Sequence, residues 1–199
     1  MNHPHWLQAT ELIHDDVLLR PLRVSDADAL VAAATDGRLW ELWYTQVPSA
    51  SSVADYVNEA LAEQQAGRAL PFAVIDRESG AVIGSTRFCN AEPSHLRLEI
   101  GYTWYAARYQ RTALNTRCKL LLLEYAFDTL GAVAVEFRTH WHNQRSRQAI
   151  ARLGAKQDGV LRNHRIEADG AHRDTVVFSI LDSEWPVVAK SLRFRLQRA

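Results

Sequence analysis

The chain has 199 residues, 47% hydrophobic and 23% charged, enough for one core in a single domain over 1–199, centred on about 17–185. Two cysteines, Cys89 and Cys118, exclude a disulfide-rich scaffold and a multi-cysteine metal site, and no apolar run approaches the ~18 residues of a membrane span. Zero net charge argues against a general nucleic-acid binder, and Met1–Leu12 lacks the pattern of a secretion signal, so the expected compartment is the cytoplasm.

Val17–Leu22 reads as a strand, and Ser25-Asp26 offers an N-cap for a helix through Ala34. A second helix starts at Ser51 or Ser52, carries Val53, Tyr56, Val57, Ala60 and Leu61 on one face, and stops at Gly67. Strands Leu70–Asp76 and Ala81–Asn90 meet at the turn Glu78-Ser79-Gly80. Leu96–Trp104 is a third strand, with Gly101 as a bulge position. Helical spacing of Leu114, Cys118, Leu121, Leu122 and Tyr125 predicts a helix over 112–129. Ala132–Thr139 is a strand, and Asn143 caps a helix closed by Gly154. Lys156–His164 and His172–Leu181 flank a turn at Ala168-Asp169-Gly170, and Asp182 or Ser183 opens a terminal helix with Pro186 in its first turn. An antiparallel half followed by a β-α-β unit implies an α/β fold with a mixed sheet and helices on both faces.

The zero net charge hides an asymmetry. Residues 1–100 hold 14 acids and 7 bases, whereas residues 101–199 hold 9 acids and 16 bases. Arg108, Arg111, Arg117 and Lys119 cluster without an acid. Such a local field suits a small anion; the alternative is a solvated arginine-rich face.

The order of elements, together with Gly101-Tyr102-Thr103-Trp104, Arg111–Thr116, Asn143-Gln144-Arg145-Ser146 and Arg152-Leu153-Gly154-Ala155, resembles the Gcn5-related N-acetyltransferase (GNAT) family. The branch containing the ribosomal-protein N-terminal acetyltransferases is the nearer likeness. The resemblance implies a mostly antiparallel mixed sheet splayed at the cofactor, with acetyl-CoA as cosubstrate and no metal. Its acceptor is an amine, either a small molecule or a protein N-terminus. It leaves room for a homodimer and implies neither a nucleic-acid nor a membrane partner.

The family's cofactor loop falls on Gln110, Arg111, Thr112, Ala113, Leu114 and Asn115, where Ala113 and Asn115 stand at positions usually small or glycine. Backbone amides at a helix N-terminus suit a pyrophosphate; read alone, the string is an ordinary helix start. The resemblance extends cofactor contact to Tyr102, Thr103, Trp104, Thr116 and Asn143. Arg108 and Arg111 would add charge.

Amine acylation benefits from a base. Glu99, two residues before Gly101, fits that role by resemblance; the alternative is an exposed carboxylate paired with Arg97 or Arg87. Relatives place an acidic tyrosine where this chain has Ile150, and Ser146 is the substitute, offering a hydrogen bond to sulfur or only to its own turn. Acceptor recognition is expected from the first two helices and the hairpin near Asn163–Arg173. Trp40, Trp43, Tyr44 and Tyr105 are candidate pocket walls or core residues. Acids at Asp15, Asp16, Asp28, Asp36 and Glu41 would favour a cationic acceptor. His140 and His142 lack further ligands for a metal. A CoA-binding sensor or interaction module without turnover is the alternative reading.

Overall fold

The computed structural model describes residues 6–167 and 169–198. The elements are β1 (Leu12–His14), β2 (Val17–Pro21), α1 (Ala27–Thr35), α2 (Val53–Gln65), β3 (Leu70–Asp76), β4 (Val82–Glu92), β5 (Arg97–Tyr105), α3 (Leu114–Glu124), β6 (Ala134–His140), α4 (Gln144–Leu153), β7 (Lys156–Ile166), β8 (His172–Leu181) and α5 (Trp185–Leu196). The strands form one sheet in the order β1-β2-β3-β4-β5-β6-β8-β7, antiparallel at every pairing except β5 with β6.

Strand alternation sorts the apolar side chains onto two faces. Phe72, Phe88, Leu98 and Phe137 pack with Leu122 of α3, Ile150 of α4 and Leu192 of α5. Ala73, Ile75 and Trp104 point the other way, onto Leu30 of α1 and Val57 of α2. A sheet covered on both sides explains why β3 reads as an almost unbroken apolar run.

Several local expectations shift. The short strand β1 went unpredicted. The helix expected over 112–129 is α-helical only to Glu124 and continues as a π turn, Tyr125–Thr129. The terminal helix is capped from Glu184, whose carboxylate accepts the Leu181 N–H, rather than by Asp182 or Ser183. Asp26 stands at the N-cap of α1, but its carboxylate caps no N–H of that helix: it accepts the Arg23 N–H that precedes it and is gripped by Arg20. Ala168 of the expected turn lies outside the described residues. Asn143 caps α4 as expected, its Oδ1 accepting the Ser146 N–H at 3.0 Å. Asn143→Ala should cost about 1 kcal/mol, read from chemical denaturation.

Two irregularities position the site. β5 and β6 pair only over Arg97–Glu99 and Ala134–Glu136, and no ladder joins them further along. Across β4, Ser85 pairs with Trp104 and Arg87 with Gly101, so Tyr102 and Thr103 together face Thr86. The bulge therefore lies just after Gly101, and Tyr102 sits at φ 52°, an uncommon conformation for a bulky residue.

Candidate active site

A cleft of about 880 Å³ opens where β5 and β6 part. Seven arginines and Lys119 line it, against one carboxylate, Glu99. Among the described residues no three His, Cys, Asp or Glu side chains come together as a metal site.

Glu99 is buried, which corrects the reading of it as an exposed strand carboxylate. A second bulge, on β4, holds Asn90 at φ 48°, and its amide donates to Glu99 Oε2 at 2.7 Å. Arg138 Nε lies 3.6 Å from the same oxygen. Desolvation pushes the carboxyl upward in pKa, and the Asn90 bond and Arg138 charge oppose it. Arg97 instead binds Glu136 at 2.5 Å. Arg87 is buried with its guanidinium carbon 3.8 Å from the Tyr102 ring centroid. Gly101 lies close against this carboxylate: an added Cβ would meet Glu99 Oε1 at 3.0 Å and Cys89 Sγ at 3.1 Å, so both side chains would have to give way.

At the other end the cleft meets the start of α3. Gln110, Arg111, Thr112, Asn115 and Thr116 line it, with Asn143 and Ser146 from the start of α4. Arg111 adopts φ 62°. Gln110 Nε2 donates to the Tyr105 carbonyl at 2.9 Å, tying the loop to β5. Asn115 turns its bulk inward, where its Oδ1 accepts from Tyr105 Oη at 3.3 Å. Thr112 is committed to the chain: its hydroxyl donates to the Tyr109 carbonyl and accepts the Leu114 N–H. Ala113 precedes α3 as its N-cap. These residues suit a phosphate-bearing cosubstrate, since the first turn of a helix leaves N–H groups unpaired.

The electrostatics differ from the sequence expectation. Arg108 is paired with Asp36 at 2.7 Å and Arg117 with Asp16 at 2.5 Å, and neither lines the cleft. Of the expected arginines Arg111 does line the cleft, and Arg145, Arg152 and Arg195 add further positive charge to its wall. Asp16, Asp36 and Glu41 are likewise engaged by arginines. None of the five acids named for a cationic acceptor lines the cleft.

Lys119 is the residue that sequence reasoning misjudged. It is buried, and its ammonium donates to Thr103 Oγ1 at 2.5 Å and Thr86 Oγ1 at 3.4 Å, with no carboxylate partner among the described residues. Burial lowers its pKa from 10.5 to about 8. It thus ties α3 to the two strands on either side of the bulge.

The aromatic wall converges only in part. Tyr44 and Tyr105 line the cleft, and Trp43 packs edge-on to His140 with centroids 4.9 Å apart. Trp40 and the Trp104 ring pack in the core with α1 and α2, and Trp104 Nε1 donates to Tyr56 Oη. Helices α1 and α2 contribute nothing to the cleft; Leu39–Val47 between them does, and so do His164, Arg165 and Arg173 of the β7–β8 hairpin. His140 is buried, and its Nδ1 accepts the His142 N–H at 3.0 Å. Burial and the nearby Arg173 charge lower its pKa.

A sequence profile described as an acetyltransferase (GNAT) domain matches residues 16–156. The uncharacterized N-acetyltransferase p20 of Bacillus licheniformis is 26% identical over 178 residues, covering 87% of this chain and 97% of that relative. A GCN5-related N-acetyltransferase structure from Brucella melitensis superposes with a TM-score of 0.82 at 30% identity, covering 94% of this chain and 85% of that one. RimJ of Mycobacterium smegmatis, solved with CoA-disulfide, gives 0.75 at 25% identity over 90% and 88% of the two chains. With a parting pair of parallel strands beside a helix start and this profile over most of its length, the chain belongs to the GNAT acetyltransferase family and is an N-acetyltransferase.

Proposed function

We propose that the protein moves the acetyl group of acetyl-CoA directly to a primary amine, with Glu99 as general base. The observation that carries this reading is one cleft that joins the buried Glu99 carboxylate to the start of α3, where the N-cap Ala113 offers no side-chain cap. RimJ, which was solved with CoA-disulfide, supports the choice of cosubstrate. In this reading the amides around Ala113–Thr116 and the Arg111 guanidinium hold the phosphates. Tyr102, Thr103 and Trp104 present backbone along the bulge to the pantetheine arm, and Asn143 contacts it from α4.

Glu99, directly or through one water, takes the proton that the attacking ammonium must lose. The amine nitrogen then bonds to the carbonyl carbon, and as the carbon–sulfur bond breaks the nitrogen gives its second proton to solvent, leaving the amide. Ser146 has no hydroxyl partner among the described residues and donates a hydrogen bond to the departing sulfur, which takes its proton from solvent. Positioning and fixed backbone donors carry much of the rate enhancement. The acceptor is a small amine or a protein N-terminus, and the expected compartment is the cytoplasm.

The test is CoA release with a pooled panel of peptides and small amines, alongside calorimetric CoA binding. Arg111→Glu should weaken acetyl-CoA binding at least tenfold, and wild-type affinity should fall as salt rises. Unchanged affinity in the variant would put the phosphates elsewhere. CoA binding with no release from any amine would favour the sensor reading.

A further inference from the structure

The acceptor side of the cleft holds charge that this reaction does not use. Residues paired across β6, β8 and β7 share a sheet face, which carries Arg138, His140 and Thr175 and continues to Arg173 and Arg165. Glu99 is level with Glu136 on the same side. Arg138 is satisfied by Glu136 at 2.9 Å.

The other two arginines are not. Arg165 stands directly opposite Arg173, and like charges so placed in an antiparallel ladder destabilise it. Arg165 forms no ion pair among the described residues. Arg173 reaches Glu167 only at 3.6 Å, and its buried Nε has no hydrogen-bond partner. Both line the cleft that holds Glu99. They are also within electrostatic range of it: Arg165 acts to lower the Glu99 pKa, and Glu99 acts to raise that of Arg173.

We propose that Arg165 and Arg173 bind a carboxylate carried by the acceptor itself, making the acceptor a small amino acid-like molecule whose amine faces Glu99. This rests on the acetyl-transfer reading above. Two planar guanidinium groups match the paired oxygens of a carboxylate. A carboxylate also neutralises the like-charge pair and supplies an acceptor for the orphaned Nε–H. A protein N-terminus presents the corresponding carbonyl as a neutral amide and leaves Arg165 without a counter-charge, beside an Arg173 whose one carboxylate contact is Glu167.

The test separates binding from turnover. The CoA-loaded full chain is titrated by calorimetry with N-acetyl derivatives of alanine, leucine, phenylalanine and glutamate, and with the matching C-terminal carboxamides. At least one acid should bind tenfold or more tighter than its carboxamide. Arg165→Gln and Arg173→Met should each remove that discrimination, with CoA affinity as the check on folding; Arg165 is exposed, so its variant guards against misfolding. Acids and carboxamides binding alike, or no acid binding, overturns the proposal. So does CoA release from peptide amides as fast as from every free amino acid. Acid discrimination without CoA release from any amine would instead overturn acetyl transfer and leave the carboxylate site standing.

Discussion

Glu99→Gln should lower turnover by about 10²- to 10⁴-fold while leaving CoA affinity unchanged. Glutamine keeps the length and an oxygen for the Asn90 amide to bond, but accepts no proton. Burial raises the Glu99 pKa above its ordinary value, so the wild-type rate should climb with pH through that raised pKa as the carboxylate forms. The variant should lack this limb and follow only the loss of the acceptor's own proton. The deficit therefore widens through that limb, and shrinks only above it, as more of the acceptor amine is already neutral.

The linkage sign separates this loss from unfolding. A carboxyl with a raised folded-state pKa contributes stability fully below its unfolded value, and that contribution is lost as pH rises through the folded one. At neutral pH the glutamine variant should thus be at least as stable as wild type. Rate–pH profiles from pH 5 to 9 with parallel denaturant melts check both statements. Equal rates across that range would remove Glu99 as the base.

The second large effect concerns Lys119, where stability and activity should part. Burial holds its pKa at about 8 instead of 10.5, which corresponds to about 3 kcal/mol against the charged form at neutral pH. Two hydroxyl bonds return part of that, at about 1 kcal/mol each. Thr86 and Thr103 also bond each other at 2.7 Å, so neither is orphaned when the ammonium goes. Lys119→Met should accordingly be about 1 kcal/mol more stable than wild type at pH 7.

Below about pH 8 both folded and unfolded chains hold the lysine proton. Between about 8 and 10.5 only the unfolded chain does, so wild-type stability rises with pH across that window. The methionine variant has no such gain, and its advantage should close by pH 10. Turnover should fall, because the bulge at Tyr102–Thr103 loses its tie to α3. A variant less stable than wild type at pH 7 would show that the hydroxyl bonds outweigh desolvation.

What was legible in the chain follows from how local each signal is. The Asn143 cap, the closing Gly154 at φ 102° and the apolar run of β3 are set by neighbours in sequence, and they stand where the sequence put them. The family's motifs brought Glu99, Gly101 and the start of α3 together because they flag a fold as well as a string. The three residues of β1 carry too little periodicity to read. Arg108, Arg117 and Lys119 look equivalent in sequence, yet two pair with distant acids and one is buried. That distinction depends on which elements lie opposite, which a linear charge count does not contain. The acidic first half misled for the same reason, and Arg165 and Arg173 became a pair only through the β7–β8 register.

The same register bears on how copies of this chain meet one another. With a pI near 7.1, the protein has almost no net charge to keep copies apart at neutral pH. The unpaired backbone at each border of a sheet is a template for another strand. Here one border is β1, only three residues long. The other is β7, whose pairing slips at two places and which carries Lys156 and Arg162 on exposed positions. Short length on one side, and kinks with positive charge on the other, make both borders poor surfaces for strand addition. In a protein with so little net charge, protection against edge-to-edge association then falls to strand geometry, and straightening β7 would be expected to favour aggregation even with the core intact.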